Sequence, residues 1–385
     1  MPSSLSWLEI DAGALAENLG RFKSILGPAT GLMAVVKGEA YGHGMLPAAR
    51  VALRAGADWL GVFSLSEALE LRRAGVAAPI LVMGYVPLSD LGQAVELDVS
   101  ITVSSEETLR ALAEAAHIEG RPARVHLKLE TGTHRLGFDE ESLRRALEIM
   151  RGSPWLSLEG AHTHFANIED TTEHGYARGQ LRRFEELLSV ISREGFSVPL
   201  PHTACTAAAV LFPETYFGMA RVGIGFYGLW PSKETYLSAL QSGRKPLQLR
   251  PALTWKTRVA QVKNVPRGAY VGYGCTYRCT RDTRLAILPV GYANGYDRKL
   301  SNTAHVLVRG QRAPLRGRVC MNLCMADVSD IPDVALEDEV VLLGRQGEEC
   351  ITPEQMAAWA GTINYEIVTR ADPYAERLYL NLPEE

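Results

Sequence analysis

Over the first 228 residues, short apolar and β-branched runs alternate with longer stretches whose apolar positions recur at helical spacing. Eight runs predict strands, at residues 32–37, 59–64, 80–84, 100–104, 124–130, 156–165, 200–205 and 221–227. The helical stretches between them carry start and stop signals. Ser66-Glu-Ala-Leu-Glu and Ser104-Ser-Glu-Glu each offer a serine cap with acid in the first turn, and Gly56 and Gly75 stand where a helix would stop. Eight strands, each followed by a helix except the last, is the count of a (β/α)8 TIM-type barrel. A doubly wound open sheet is the alternative, but no G-x-G-x-x-G follows the first strand.

The pattern changes near residue 240. Gln241-Ser-Gly-Arg-Lys-Pro-Leu reads as a linker. Beyond it come short runs broken by turns, at 253–262, 284–289, 305–308, 318–328 and 339–343. Only 352–360 has a helical signature, with Thr352 as cap and Pro353 at the first helical position. The expected organisation is a barrel over 8–240 and a C-terminal, mostly antiparallel β domain over 241–385, with the first few N-terminal residues available to pair with the latter.

Composition narrows the function classes. The apolar fraction of 46%, charged fraction of 22% and net charge of −4 are those of an ordinary globular protein. They give no reason to expect nucleic acid or an anionic membrane as partner. The N-terminus has no basic region followed by an apolar core, and no run approaches the roughly 20 apolar residues of a membrane span. A cytoplasmic protein is expected. Cys275/Cys279 and Cys320/Cys324 invite a zinc reading, but zinc knuckles favour two intervening residues rather than these three, so reduced, mostly buried thiols and no metal are expected.

Candidate chemistry gathers at the predicted strand ends, where α/β barrels place it. The first strand ends in Lys37, with Tyr41 just beyond. A lysine there either reaches into water or, if buried, becomes a nucleophilic amine able to take up a carbonyl cofactor. The fifth strand carries Lys128 and runs into Thr131-Gly-Thr-His-Arg135. The sixth carries His162 and His164, the seventh ends in His202-Thr-Ala-Cys205-Thr206, and the eighth reads Arg221-Val-Gly223-Ile224-Gly. A rim of basic and hydroxyl groups suits an anionic ligand, and the glycine-bearing last two strands are where barrels commonly hold phosphate.

The segments AVVKGEAYGHG, LETGTHRLGF, THFA, RVGIGFYG, VGYGCTY, LPVGYANGY, GRVCMN and TINYEIVTR occur in the order found in the alanine racemase family, which this chain resembles from about Leu8 to at least Arg370. The resemblance implies a pyridoxal 5′-phosphate enzyme that interconverts L- and D-alanine for peptidoglycan, working as a homodimer. It implies that Lys37 holds the cofactor and serves as base on one face of the substrate α-carbon, with Tyr273 on the other. A single base that exchanged no protons with water would return the starting enantiomer. Tyr273 would be assisted through His164 to Arg221. Arg221 would face the pyridine nitrogen, and a guanidinium cannot accept the proton that most such enzymes deliver there. Reprotonation at the α-carbon is then favoured over transamination.

The same resemblance places Tyr41, Thr206, Tyr365 and the amides of Gly223 and Ile224 on the phosphate. Arg135 falls near the cofactor phenolic oxygen and the substrate carboxylate, and Met321 offers its amide to that carboxylate. Lys128 matches a lysine that is carbamylated in many members, and Tyr292, Arg298 and Arg318 match the access channel. In the family Tyr273 and Met321 reach the other subunit's cofactor. Departures lie at Asn322 and Asn294, where Asp is usual, at His134 for glycine, at Cys205 for asparagine and at Thr206 for serine. The two Asn residues remove carboxylates near the channel, leaving a serine-preferring or broader racemase as the alternative. A decarboxylase on this barrel would want an acid opposite the ring nitrogen, and a non-catalytic cofactor carrier would lack the β domain and Tyr273.

Overall fold

The computed structural model describes residues 4–243 and 246–382. It divides into two compact units, one of residues 14–40 and 45–250, the other of 4–13, 41–44 and 251 onward.

The first unit is the barrel. Its eight parallel strands are β2 (Gly31–Val35), β3 (Trp59–Val62), β4 (Ile80–Val82), β5 (Ser100–Val103), β6 (Ala123–Lys128), β7 (Leu156–His162), β8 (Leu200–His202) and β9 (Met219–Val222), with β1 reserved for an N-terminal strand of the other unit. They pair in the order β8-β7-β6-β5-β4-β3-β2-β9. The two end strands meet through Gly218 N donating to Pro201 O and Arg221 N to Ala204 O, both at 2.9 Å, so the barrel is nearly closed. All eight expected strands are present, each shorter than its apolar run because the last residues turn out into loops.

The helices start where local chemistry permits. Ser64, not Ser66, caps the helix Leu65–Arg73, in a capping box with Glu67. Ser105 caps Glu106–Glu119. Gly56 and Gly75 take φ of 93° and 81°, the left-handed conformation that ends a helix.

The second unit is mostly antiparallel. A sheet runs Gln311–Pro314, His305–Val308, Glu339–Gln346, Leu253–Arg258, β1 (Ser6–Asp11), Glu376–Leu380, and a three-stranded sheet joins Gln261–Val265, Thr283–Leu288 and Cys324–Asp327. The strand β1 lies inside the larger sheet, antiparallel to Leu253–Arg258 and parallel to Glu376–Leu380. Its Trp7, Leu8 and Ile10 are buried, each worth roughly 1.5–3 kcal/mol.

Three differences from the sequence reading have physical causes. The barrel unit runs to Arg250, past 240, because Arg250 N donates to Asn18 Oδ1 at 2.9 Å and Arg250 Nη1 pairs with Glu17 at 2.6 Å. Of the expected linker, Arg244 and Lys245 lie outside the described residues. In the β unit 318–323 is a loop rather than strand. A helix missed by the periodicity, Asn364–Arg370, begins with no side-chain cap.

Candidate active site

The chain leaves β2 through Val36 and Lys37 and enters a left-handed helical turn. Gly38, Glu39, Ala40 and Tyr41 have φ of 62°, 54°, 51° and 54°. Left-handed backbone costs a non-glycine residue about 1–2 kcal/mol, so something must impose it on three of them. Glu67 Oε1 accepts from Gly38 N at 2.7 Å, Val36 O accepts from Ala40 N at 2.9 Å, and Glu39 Oε2 accepts from Met45 N at 3.3 Å. The other Glu67 oxygen caps the neighbouring helix through Phe63 N and Ser64 N. One carboxylate thus anchors both the helix start and the turn that aims Lys37.

Lys37 is the nucleophilic candidate the sequence pointed to. Burial lowers its pKa, with Arg135 and Arg221 pushing the same way and Glu67 opposing. Its Nζ lies 6.0 Å from the centre of the Phe63 ring.

Arg221, on β9, is 6% exposed and has five N–H donors. Nη1 reaches His202 Nδ1 at 2.7 Å and His202 O at 3.1 Å, and Nη2 reaches Thr163 O at 2.8 Å and Thr203 O at 3.0 Å. Among the described residues only its Nε–H has no acceptor. Burial lowers its pKa to about 10, which leaves it a cation near neutrality. The expected step from His164 to Arg221 is not a hydrogen bond. His202 occupies that place, and His164 meets Arg221 only as a nearby positive charge. Burial first, then Arg221 and Lys128, hold His164 well below the usual histidine range, as a neutral imidazole.

Alternation along the strands puts further polar groups on the same face as these. Lys128, two residues after His126 on β6, is 7% exposed, and its side-chain amine has no hydrogen-bond partner among the described residues. Burial drops its pKa well below the lysine value, with Arg221 and Arg135 adding to the effect. Arg135 is exposed at the end of a loop bound by Glu130, whose carboxylate accepts from Gly132 N and, at 2.8 Å, from Thr133 N.

A buried hydroxyl lies against glycine backbone at the ends of β8 and β9. Thr206 Oγ1, 3% exposed, accepts from Gly223 N at 3.2 Å and Gly225 N at 3.5 Å. A Cβ on Gly225 would come within 2.5 Å of Phe22 and 2.7 Å of Thr206, so only glycine lets the backbone approach. Cys205 beside it is buried and its thiol is pushed up to about 12 by burial, hence unreactive.

These groups fit pyridoxal 5′-phosphate: an amine of lowered pKa for its aldehyde, an unpaired guanidinium N–H for its ring nitrogen and the Thr206 hydroxyl, beside glycine backbone, for its phosphate. Among the described residues no group of three or more His, Cys, Asp or Glu is placed to hold a metal ion, and no helix is long and apolar enough to cross a membrane.

The β unit holds the remaining candidates. The Tyr41 and Tyr365 rings lie 6.2 Å apart, and the glycines flanking His43 are clasped from Glu376–Leu380, where Arg377 Nε donates to Gly42 O at 3.0 Å and Tyr379 OH to His43 O at 2.9 Å. Tyr273 is 71% exposed in a one-turn segment flanked by Gly272 and Gly274, at a cavity of about 630 Å³ lined by Tyr270, Cys320, Leu323 and Met325 among others. Arg318 packs against Gly274, where a Cβ would lie 2.7 Å from its Nη1. Met321, 57% exposed, and Tyr292 come from two loops tied together, Tyr292 N to Cys320 O at 3.0 Å and Ala293 N to Met321 O at 2.9 Å. Arg298 is exposed, as is Asn322. Asn294 is tied into the fold: its Oδ1 accepts from Gly291 N at 3.2 Å and its Nδ2 donates to Asp372 Oδ2 at 3.1 Å.

Sequence reasoning passed over Glu67, His126 and Glu159 and gave His202 no role. Glu67 was legible as the acid of a Ser64-x-x-Glu67 box, and His126 as the partner of Lys128 two residues on.

Comparison with known proteins agrees with the geometry. The alanine racemase N-terminal domain family matches residues 10–231 and the C-terminal domain family residues 252–379. An alanine racemase from Desulforamulus reducens is 43% identical over 376 residues, covering 97% of this chain and 98% of the relative, and one from Methanococcus maripaludis is 38% identical, covering 99% and 100%. Among solved structures, the alanine racemase of a D-cycloserine-producing Streptomyces lavendulae superposes with a TM-score of 0.92 at 36% identity, covering 100% of this chain and 99% of that one. The Bacillus anthracis enzyme with bound L-Ala-P superposes with a TM-score of 0.91 at 37% identity, covering 99% and 96%.

Proposed function

The chain belongs to the alanine racemase family, and from that premise we propose that it interconverts L- and D-alanine by a two-base mechanism with pyridoxal 5′-phosphate. The observation that carries this reading is Arg221: a buried cation with four donors engaged and Nε–H left over. Bound pyridoxal phosphate supplies an electron sink that acidifies the substrate α-proton. Facing the ring nitrogen, Arg221 donates a hydrogen bond and cannot give up a proton, which keeps that sink shallow and directs the proton back to the α-carbon. Lys37 anchors the cofactor and handles the proton on one face, burial lowering the pKa of its amine.

Thr206 and the amides of Gly223 and Ile224 hold the phosphate in this reading, with Tyr41 and Tyr365 as further phosphate contacts. Arg135 holds the substrate carboxylate together with the Met321 amide. Lys128, carbamylated, would become an anion bracing Arg135. Tyr273 serves as the second base, assisted by the neutral imidazole of His164. Tyr292, Arg298 and Arg318 line the approach. The exposure of Met321, and of Tyr273 at the edge of a cavity, supports a homodimer in which each subunit lends them to its partner. We place the enzyme in the cytoplasm, supplying D-alanine for peptidoglycan.

The test is direct. Purified protein given pyridoxal phosphate should gain a visible absorbance band and then form D-alanine from L-alanine. Absence of both would overturn the reading, and faster turnover of serine than of alanine would overturn the substrate.

A further inference from the structure

Behind Arg221 lies a line of buried polar groups that the proposed reaction does not use. His202 Nε2 is 2.9 Å from His126 Nδ1, and His126 Nε2 is 3.2 Å from Glu159 Oε2, which also accepts from Ser100 Oγ. Both imidazoles are fully buried, while Glu159 is partly exposed. The line is built into the barrel. Gly160 faces His126 across the β6–β7 pairing, and a Cβ there would fall 2.3 Å from His126 Nδ1. The register of the two strands shifts between Val125 and His126, and the Trp59 ring meets His126 edge-on at 5.7 Å.

Donor and acceptor counting gives the line one direction. Every guanidinium nitrogen donates, so His202 Nδ1 must accept from Arg221 Nη1, and the His202 proton sits on Nε2. That proton points at His126 Nδ1, which must therefore accept, so the His126 proton also sits on Nε2 and points at Glu159. Burial keeps both imidazoles neutral, so the His126–Glu159 contact is a neutral imidazole donating to a carboxylate rather than an ion pair. Burial works against the Glu159 charge, but the hydrogen bonds from His126 and Ser100 together with the nearby Arg124 cation leave its pKa lowered. A carboxylate accepts only, and that end condition locks the sequence.

We propose that Glu159 is a remote positioning residue for Arg221: through His126 and His202 it fixes an accepting nitrogen opposite Nη1 and so holds the guanidinium with Nε–H turned to the cofactor ring. Were His202 to carry its proton on Nδ1, two donors would meet at 2.7 Å and Arg221 would have to swing away. The role in the reaction rests on the racemase reading; the proton arrangement does not.

A neutron crystal structure of the cofactor-loaded protein tests the arrangement. Deuterium is expected on Nε2 of His202 and of His126 and on neither Nδ1; deuterium on His202 Nδ1 would overturn the proposal. Two variants test the role. Glu159→Gln keeps an accepting oxygen, whereas Glu159→Leu leaves a buried imidazole N–H unpaired. Removal of such a partner is expected to lower kcat about tenfold in Glu159→Leu with KM within about twofold, while Glu159→Gln stays within about threefold of the parent. Equal losses in the two variants, or a loss confined to KM, would defeat the positioning role. If Glu159→Leu does not fold, the neutron map of Glu159→Gln decides, since its His126 should still carry deuterium on Nε2. Failure of the protein to take up pyridoxal phosphate would instead count against the racemase reading and leave the deuterium positions as they are.

Discussion

The barrel unit and the β unit treat their candidate residues in opposite ways. In the barrel Thr206, Arg221 and Lys128 are between 3% and 7% exposed; backbone carbonyls and the His202 imidazole hold Arg221, and Gly225 packs closely on Thr206. In the β unit Tyr273, Met321 and Tyr292 are 71%, 57% and 43% exposed, on loops braced by glycines and backbone bonds. The first set already has the fields that shift pKa values: Lys37, Lys128 and His164 are all pushed toward neutrality by burial and neighbouring cations. The second set is braced by backbone geometry on exposed loops. The surroundings proposed for the cofactor are therefore preorganised within the barrel unit, and in the proposed dimer Tyr273 would find its own surroundings in the partner subunit.

Single substitutions should expose that division. Lys37→Ala removes both the anchor and one base, so racemisation in both directions and the visible absorbance of the bound cofactor should vanish together. An unchanged spectrum would refute the anchor. Tyr273→Phe should keep the absorbance and slow proton removal from one enantiomer by about 10²–10⁴-fold, the usual contribution of a general base, and from the other far less. Equal small losses in the two directions would refute the two-base scheme. Isotope exchange at the α-carbon of each enantiomer measures both.

The difference between the units also governs how much the sequence disclosed. The barrel strands were legible because each is a short apolar run bounded by helix caps, and Lys37, Lys128 and Arg221 were legible as charges at the ends of such runs. Strand β1 was legible only as N-terminal residues available to the β domain; its bounds and register were not, because Ser6–Asp11 pairs with residues about 250 and 370 positions later, and no local pattern reports partners that distant. Tyr273 lies in a one-turn segment with no periodicity, and only the family resemblance singled it out. The left-handed turn after Lys37 was hidden for another reason: Glu39, Ala40 and Tyr41 are not left-handed residues, and the carboxylate that imposes the turn is some thirty residues away. Glu159 and His126 escaped because a strand-borne Glu or His reads as a surface residue until its partners are known.

Smaller effects should appear around Lys37. Burial sets the main shift, and Arg135 lowers the Lys37 pKa further while Glu67 raises it. The attachment of pyridoxal phosphate to apoprotein follows the unprotonated fraction of the amine. Arg135→Leu removes a cation, so the Lys37 pKa rises and the pH profile of the attachment rate should move to higher pH. Glu67→Gln removes an anion while keeping an oxygen for Gly38 N, so the profile should move to lower pH. Movement in the same direction for both would mean that the substitutions act by disturbing the turn rather than through charge.

The smallest effect belongs to the β unit and bears on substrate choice. By resemblance, Asn294 replaces a channel carboxylate and could loosen selection. Its contacts argue for a structural role, because Oδ1 accepts from Gly291 N and Nδ2 donates to the buried Asp372. Asn294→Asp would keep the first bond and set a carboxylate against Asp372, where Asn294→Ala would lose both bonds. Each change should lower the free energy of unfolding by about 1–3 kcal/mol, the range for leaving a partly buried partner unmatched. Added salt should recover part of the loss in the Asp variant, through screening of like charges, and none in the Ala variant. The ratio of alanine to serine turnover should stay constant in both. A changed ratio with unchanged stability would move Asn294 from the scaffold to the channel, because only a residue facing substrate can alter selection without altering the fold.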